Sequence, residues 1–406
     1  MRFELENRAV RTSRMGRVVS GAIAVVSALA LIASLAGCGA GRNDPPAVAA
    51  QSDPSAPEQY QLAAVCPANV VVQMSWKPQA EYGAIWNLLG DDYKIDSVHK
   101  ETAATLTTSD GYKTGVTLTI RNVPSAQSAE TIGYINQDTL LTFLDTDKAI
   151  AAYAAGPQYT AVVAPMKTSP YMVMWDPATY PNAKSLKDLS AQNATVLANP
   201  GTTWPAFLES KGVIKASEVD SSYTGDPARF VSDPKVSQQG MSTSEPYQYE
   251  HEIGNWDKPV AYDLLSNYGF NVYPQPYAVR TADLEMDTPC LSKLVPIIQR
   301  SIVNYAKDGS RALDRIVKAA EAYNDGWVYS QGLAEYGWKT MSEQHIVGDE
   351  DGVAGGIDMG RVQDVIDTFS PLVGGTGLEV PQGLKATDLA TDRFLDPSIT
   401  FADDGK

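Results

Sequence analysis

A group of aromatic and polar residues, Trp76, Gln79, Glu81 and Tyr82, follows an apolar, β-branched run early in the chain. The run NVVVQMSW at 69–76 predicts a strand that ends at Trp76. An indole at the carboxyl end of a parallel strand can stack on a planar molecule, and the side chains beside it supply hydrogen-bond donors and acceptors. Three alternatives stay open. Trp76 could cap a core, the polar residues could form a solvated loop, and Glu81 could simply favour a helix dipole.

A second group, Gly201, Thr202, Thr203 and Trp204, opens a predicted helix at 202–211. Free main-chain N–H groups and hydroxyls at a helix start can bind an anion or a carbonyl oxygen. The alternative is that a threonine only caps the helix. Trp204 adds a second aromatic face.

A third group, Ser244, Glu245 and Tyr247, ends a predicted strand edge at 242–249. A carboxylate in this position suits an amine, an amidine or a ring N–H better than an oxyanion. Together with the aromatic residues of the other two groups, it favours a nitrogen heterocycle as the ligand. The alternative for Glu245 is a salt bridge between two lobes.

The elements around these groups alternate between strands and helices, which predicts parallel βαβ units. Such sheets bind ligands at the carboxyl ends of their strands. The predicted strands are 69–76, 116–120, 139–144, 161–165, 171–175, 194–198 and 259–265, and the predicted helices are 81–89, 127–135, 145–155, 185–189 and 202–211. Residues 91–114 are polar and irregular, which predicts a surface insertion, and 291–336 is strongly helical.

The chain has 406 residues, more than a single core usually supports, so we expect two lobes. The predicted crossings between them are 165–170 and 271–277. The predicted organisation is a signal peptide at 1–37, a modified cysteine and tether at 38–64, lobe 1 at 65–167, lobe 2 at 168–275, and a return to lobe 1 at 276–406.

The N-terminal segment has the pattern of a secretory signal. Five arginines precede an uncharged apolar run at 18–35, and small residues lead to Cys38. The ending Leu35-Ala36-Gly37-Cys38 resembles the lipobox of bacterial lipoproteins, which implies that Cys38 is lipidated. A transmembrane anchor is the alternative, because the run is just long enough to span a bilayer. The polar stretch that follows favours the lipoprotein, held outside the cytoplasm by a flexible tether.

Charge and cysteine content narrow the function further. The formal net charge of −16 argues against nucleic-acid binding, which needs clustered Lys and Arg. An exported chain permits a disulfide between Cys66 and Cys290, although two buried thiols remain the alternative. The three histidines, at 99, 251 and 345, lack metal-ligand spacing, so we expect neither a metal nor a cofactor.

Three segments in register resemble the extracytoplasmic solute-binding proteins of ABC importers, in the branch that binds thiamine pyrimidines, riboflavin, nitrate and sulfonates. The first segment is 75–82 (SWKPQAEY), the second is 201–208 (GTTWPAFL) with 226–230 and 239–247 (QGMSTSEPY), and the third is 356–366 with 388–395. They cover most of 69–395, and the predicted insertion at 91–114 departs from the pattern. The resemblance implies a two-lobe α/β fold, the type II periplasmic-binding-protein fold, whose parallel-rich sheets close on a small molecule.

That resemblance implies a monomeric binding protein that delivers a thiamine pyrimidine precursor or flavin-like ring to an ABC permease and its ATPase subunits. A nitrate, sulfonate or taurine binder of the same importer class is the alternative. An enzyme similar to the eukaryotic synthases of the thiamine pyrimidine is a second alternative, but this chain lacks their cysteine cluster and has no nucleophile-elbow or phosphate-loop motif. A surface adhesion protein would need no paired lobes. We therefore expect no catalysis.

Overall fold

The computed structural model describes residues 48–123 and 128–402, and most of its strands form two sheets. The first sheet contains β1 (Asn69–Gln73), β2 (Lys94–Asp96), β3 (Glu101–Thr107), β4 (Lys113–Arg121), β5 (Thr139–Phe143), β6 (Tyr159–Val163) and β12 (Tyr277–Arg280). The second contains β7 (Tyr171–Trp175), β8 (Thr195–Leu197), β9 (Val219–Asp220), β10 (Val236–Met241) and β11 (Ala261–Leu264). A short hairpin is formed by β13 (Asp349–Glu350) and β14 (Val353–Ala354).

Both sheets are mixed, with parallel pairs at positions that matter for the site. The first has the order β2-β3-β4-β1-β5-β12-β6, and β1 is parallel to both of its neighbours. The second has the order β11-β7-β10-β8-β9, and β8 is parallel to both β10 and β9. The chain passes from the first sheet to the second between β6 and β7 and returns between β11 and β12, at the two predicted crossings. The bounds of the two lobes stay predictions.

Helices cover the faces of the sheets, and most strand residues are therefore buried. The helices are α1 (Gly83–Trp86), α2 (Ala129–Ile135), α3 (Thr146–Ala155), α4 (Leu186–Ser190), α5 (Trp204–Ser210), α6 (Ala228–Ser232), α7 (Glu245–His251), α8 (Thr288–Lys307), α9 (Ser310–Tyr323), α10 (Gln331–Glu343), α11 (Met359–Gly374) and α12 (Ala386–Leu389). Helices α8, α9 and α10 share a core with β1 and β4. Helices α3, α5 and α11 share a second core with β7 and β8.

The predicted signal peptide and Cys38 lie outside the described residues. Within the ranges that are described, none of the helices is both long enough and apolar enough to cross a membrane.

The prediction of a surface insertion at 91–114 is wrong. These residues form β2, β3 and the start of β4, and all seven residues of β3 are buried. The strand reads ETAATLT, and its threonines pack in the interior, with Thr102 fully buried and Thr105 only 1% exposed. Threonine is β-branched and fits a pleated strand, so β propensity here outweighs polarity.

The prediction of a strand edge at 242–249 is also wrong. The strand is β10, which ends at Met241, and Glu245–His251 is helix α7. Strand β10 reads VSQQGM and has two glutamines that are buried and hydrogen-bonded. Gln238 donates to the Tyr249 hydroxyl at 2.9 Å, and Gln239 accepts from the Trp204 indole at 2.8 Å. Partners distant in the sequence therefore make a polar stretch suitable for a sheet interior.

A disulfide joins Cys66, just before β1, to Cys290 in the first turn of α8. It closes a sequence separation of 224 residues and ties the first strand to the C-terminal helices. Cross-linking positions so far apart removes much of the conformational entropy of the unfolded chain.

Substituting both cysteines, Cys66→Ser with Cys290→Ser, should lower the free energy of unfolding by up to about 5 kcal/mol, since the enclosed loop is long. Denaturant titration of the oxidised protein and of the double variant would measure the difference. Labelling of free thiols in the denatured, unreduced protein is the control. Two reactive thiols in the wild type would contradict the bond.

Candidate functional site

The segment 75–82 leaves the carboxyl end of β1 and is held in place by side chains from distant elements. Asn122 donates to the carbonyl oxygen of Trp76 at 2.8 Å, and the Trp327 indole donates to that of Pro78 at 2.9 Å. Tyr305 donates to the carbonyl oxygen of Ala80 at 2.7 Å. The main chain here is therefore fixed, which the sequence does not indicate.

The predicted side chains of this segment differ in their surroundings. Trp76 is half-buried and meets Trp327 edge-on, with ring centroids 6.4 Å apart. Gln79, Glu81 and Tyr82 are all buried, so they do not form a solvated loop. The hydroxyl of Tyr82 is 2.9 Å from that of Ser75. Trp76 thus packs on the margin of the first core and stays partly exposed.

Glu81 bonds directly to the second sheet. Its carboxylate accepts a short hydrogen bond from the hydroxyl of Thr243, which follows β10. Glu81 is 4% exposed, and burial raises its pKa above the ordinary value. No cation pairs with it among the described residues. This contact joins the loop after β1 to the loop after β10.

Ser244, Glu245 and Tyr247 continue from Thr243 into α7. Glu245 accepts from the main-chain N–H of Met241 at 2.7 Å and from the Ser244 hydroxyl at 3.1 Å. Burial raises the pKa of Glu245 to about 7, and the negative charge of Glu81 adds to the rise. Tyr247 lies further out, beside Tyr336, with ring centroids 5.5 Å apart. Among the described residues, Glu245 therefore makes no salt bridge, and it belongs to the same acidic group as Glu81.

Gly337 of α10 allows this junction to form. A Cβ at that position would lie 2.9 Å from the carbonyl oxygen of Thr243 and 3.2 Å from the Cβ of Ala80. The hydroxyl of Tyr336 donates to the carbonyl oxygen of Ser242 at 3.1 Å. Helix α10 thus packs against both the loop after β1 and the loop after β10.

The group at 201–204 is split by the structure. Gly201 is exposed, with a positive φ of 76°, and Thr202 donates to the carbonyl oxygen of Asn199 at 2.8 Å. Thr203 makes no capping bond to α5, and its hydroxyl instead bonds to Asp147 of α3 in a short contact. Trp204 is 2% exposed and lies in the second core. Thr203 therefore bonds to α3, a helix that shares the second core with α5.

Three residues that the sequence reasoning missed, Asp145, Asp147 and Tyr171, meet near Thr203. Asp145 lies two residues after the end of β5 and accepts from the Tyr171 hydroxyl at 3.3 Å. Burial, and next the charge of Asp145, raise the pKa of Asp147 to about 6. Both aspartates stand where a strand leads into a helix, so the rule that places ligands at strand ends could have found them.

Two cavities are lined by other side chains, and the first of them lies next to the start of α3. One, of about 10 Å³ beside Thr146 and Tyr273, has room for a single water molecule. The other, of about 470 Å³, is a shallow depression bordered by Gln363, Lys385 and Arg393. The predicted site residues line neither cavity. The loops of the two sheets bond directly to each other instead.

Comparison with known proteins identifies the fold. No protein-family model matches the chain, and no curated protein matches it. A ligand-binding component of an ABC-type import system from Staphylococcus aureus is similar in structure, with a TM-score of 0.52 at 10% identity, covering 82% of this chain and 100% of that one. The alkanesulfonate-binding protein SsuA from Xanthomonas axonopodis pv. citri, bound to MOPS, has a TM-score of 0.51 at 10% identity, covering 80% and 99%.

SsuA from Escherichia coli, an aliphatic sulphonate binding protein, has a TM-score of 0.50 at 12% identity, covering 80% of this chain and 96% of that one. The predicted fold class is therefore confirmed. The chain has the α/β periplasmic-binding-protein fold, with two sheets flanked by helices.

Replacing Asp147 with asparagine should stabilise the protein above about pH 6. The pKa of Asp147 is about 6 against an ordinary value of 3.8, so the folded state holds a proton that the unfolded chain has released. Ionisation therefore lowers stability as the pH rises through 6. Each pKa unit corresponds to about 1.4 kcal/mol, so Asp147→Asn should gain about 1–3 kcal/mol at pH 8 and nothing below about pH 4.

Asp176→Asn is the matched control. Asp176 is as buried as Asp147, but hydrogen bonds from Lys258 at 2.9 Å, from the main-chain N–H of Ala178 and from Thr179 together outweigh burial and hold its pKa below the ordinary value. This variant should lose stability at pH 8. Denaturant titrations of both variants at pH 4 and 8 would measure the effect, and an Asp147→Asn variant less stable than wild type at pH 8 would refute it.

Proposed function

We propose that this protein is the substrate-binding component of an ABC importer and captures a small, nitrogen-bearing ring between its two lobes. A single observation carries the proposal. Glu81, which follows the central strand of the first sheet, meets Thr243 and Glu245, which follow a strand of the second sheet. A ligand at this junction would contact both lobes and could draw them together by hinge motion at the two crossings.

The proposed partners follow from the N-terminal sequence and from the named structural relatives. The lipobox-like ending at Cys38 supports a lipid anchor on the outer face of the cytoplasmic membrane. A monomer tethered there would deliver its ligand to a permease and the ATPase subunits behind it. The structural relatives are named as importer components and binding proteins, which supports binding rather than catalysis.

The acidic side chains favour a nitrogen-bearing ligand, such as a thiamine pyrimidine precursor or a flavin-like ring. Glu81 and Glu245 would accept hydrogen bonds from ring N–H or amine groups, and the open part of Trp76 would stack on the ring. A sulfonate ligand is the second candidate, because two of the structural relatives are named as sulfonate-binding proteins. Two buried carboxylates would repel that anion unless both were protonated.

Small molecules that co-purify with the protein should reveal the ligand by mass spectrometry. The identified compound should raise the melting temperature, since a hundredfold excess over Kd stabilises a protein by about 2.7 kcal/mol. It should also reduce the radius of gyration in solution scattering as the lobes close. Co-purified compounds that change neither the melting temperature nor the radius of gyration would count against the proposed function.

Titrations with the identified compound should assign the roles of the side chains. Trp76→Ala should weaken binding by about 1–3 kcal/mol without unfolding the protein if the indole is an anchor. Glu245→Gln should weaken the binding of amine-bearing ligands and leave that of sulfonates unaffected. Glu209→Gln, at an exposed position of α5, is the matched control and should have no effect. Wild-type affinity in both site variants would exclude this site, and stronger anion binding by Glu245→Gln would favour the sulfonate candidate.

A further inference from the structure

Two aspartates, Asp145 and Asp147, lie buried at the start of α3, where it faces the second sheet. They are 3% and 4% exposed. Asp145 accepts from the main-chain N–H of Gln275 at 2.9 Å and from the Tyr171 hydroxyl at 3.3 Å. Asp147 accepts from the hydroxyl of Thr203. The second sheet and the crossing before β12 therefore both contribute to this pair.

The positive charge beside the pair compensates only one of the two aspartates. Lys148 forms an ion pair with Asp145 at 3.1 Å, and that carboxylate raises the pKa of Lys148 well above its usual value. Asp147 has no such partner among the described residues, and its Oδ1 atom is buried without a hydrogen bond. The pair thus has one negative charge more than its surroundings balance.

Gln275 provides an independent sign that a donor belongs here. It is 5% exposed, its main chain contacts Asp145, and its side-chain Oε1 is also buried without a hydrogen-bond partner among the described residues. Buried oxygens normally accept a hydrogen bond, because a buried acceptor without one loses the bonds that water would have supplied. The Oδ1 atom of Asp147 and the Oε1 atom of Gln275 are thus two acceptors without donors, and a group with several N–H donors could satisfy both.

We propose that Asp145, Asp147, Thr203 and Gln275 form a subsite for a positively charged nitrogen group of the ligand, an ammonium or an amidinium. This inference rests on the proposed function and names the chemical class of its substrate as an organic cation. The N–H groups of such a cation would donate to the free Oδ1 of Asp147 and the free Oε1 of Gln275. Its positive charge would neutralise Asp147, with which Lys148 forms no ion pair. Thr203 would close over it from the second lobe.

An organic cation fits these residues better than a metal ion does. Within the described ranges, no three His, Cys, Asp or Glu side chains come together as a metal site requires. One oxygen of Asp147 already accepts from a hydroxyl, and both oxygens of Asp145 are engaged. A planar amidinium needs only the two oxygens that remain.

If Asp147 only stabilised the fold, Asp147→Asn would be less stable than wild type at pH 8, the opposite of the change expected above. A buried carboxylate that stabilised the fold would be ionised and paired, as Asp176 is with Lys258. Asp147 instead forms no ion pair within the described ranges, so its ionised form is expected to destabilise the free protein. A residue that lowers the stability of the free protein is typical of a binding site, where the ligand supplies the missing partner.

Three probes of the same size test the charge of the ligand: benzamidine, benzamide and benzenesulfonate. They share a phenyl ring and carry a cationic, a neutral and an anionic group. Titration calorimetry on the full chain at pH 8 should show benzamidine binding at least tenfold tighter than benzamide, with benzenesulfonate the weakest. Equal binding of benzamidine and benzamide, tighter binding of benzenesulfonate, or no binding of benzamidine would overturn the subsite.

Two variants locate the effect. Asp147→Asn should abolish the preference for benzamidine over benzamide while its melting temperature at pH 8 stays at or above that of wild type, so lost binding cannot be attributed to unfolding. Asp176→Asn, a buried aspartate of the second lobe away from the site, should keep the preference. If Asp147→Asn keeps the preference for benzamidine over benzamide, the cation does not bind at Asp147.

The outcomes separate this inference from the proposed function. If the co-purified compound binds and compacts the wild type but carries no cationic group, the importer function stands and the subsite falls. If benzamidine binds through Asp147 but no co-purified compound compacts the protein, the cation site stands and the importer function falls.

Discussion

Negative charge buried where the two sheets meet is the constraint on which the rest of the structure depends. Glu81, Asp145, Asp147 and Glu245 all lie at this junction, and Lys148 is the cation that pairs with one of them. Burying a carboxylate without a partner is unfavourable, and here burial raises the pKa of Glu81, Asp147 and Glu245. Stability must therefore come from elsewhere in the molecule.

The C-terminal helices supply much of that support. They share the first core with β1, their disulfide fixes the chain just before that strand, and a buried ion pair between Lys77 and Asp325 holds the segment after it. The Tyr305 hydroxyl donates to the carbonyl oxygen of Ala80, and the Tyr329 hydroxyl accepts from the main-chain N–H of the same residue. The acidic side chains are thus presented by a rigid main chain, which limits the entropy lost when they bind a ligand.

The fold alone does not settle which ligand such a junction accepts. Proteins named for sulfonate binding share this architecture at 10–12% identity, yet the loops of this chain present carboxylates. Function in a widely used fold depends on the side chains placed at its loops rather than on the sheets that carry them. Charge at the strand ends is therefore the feature of this chain that bears most directly on its ligand.

The sequence determined the α/β class, the alternation of strands and helices, and the place of Glu81 after the first strand, because apolar periodicity and strand ends are local signals. It could not show that the threonines of β3 and the glutamines of β10 are interior, since their packing and hydrogen-bond partners lie on other elements. Nor could it separate Trp204, in a core, from Thr203, one residue earlier, which reaches Asp147. Only the tertiary structure decided these, because burial and pairing depend on contacts between residues far apart in the chain.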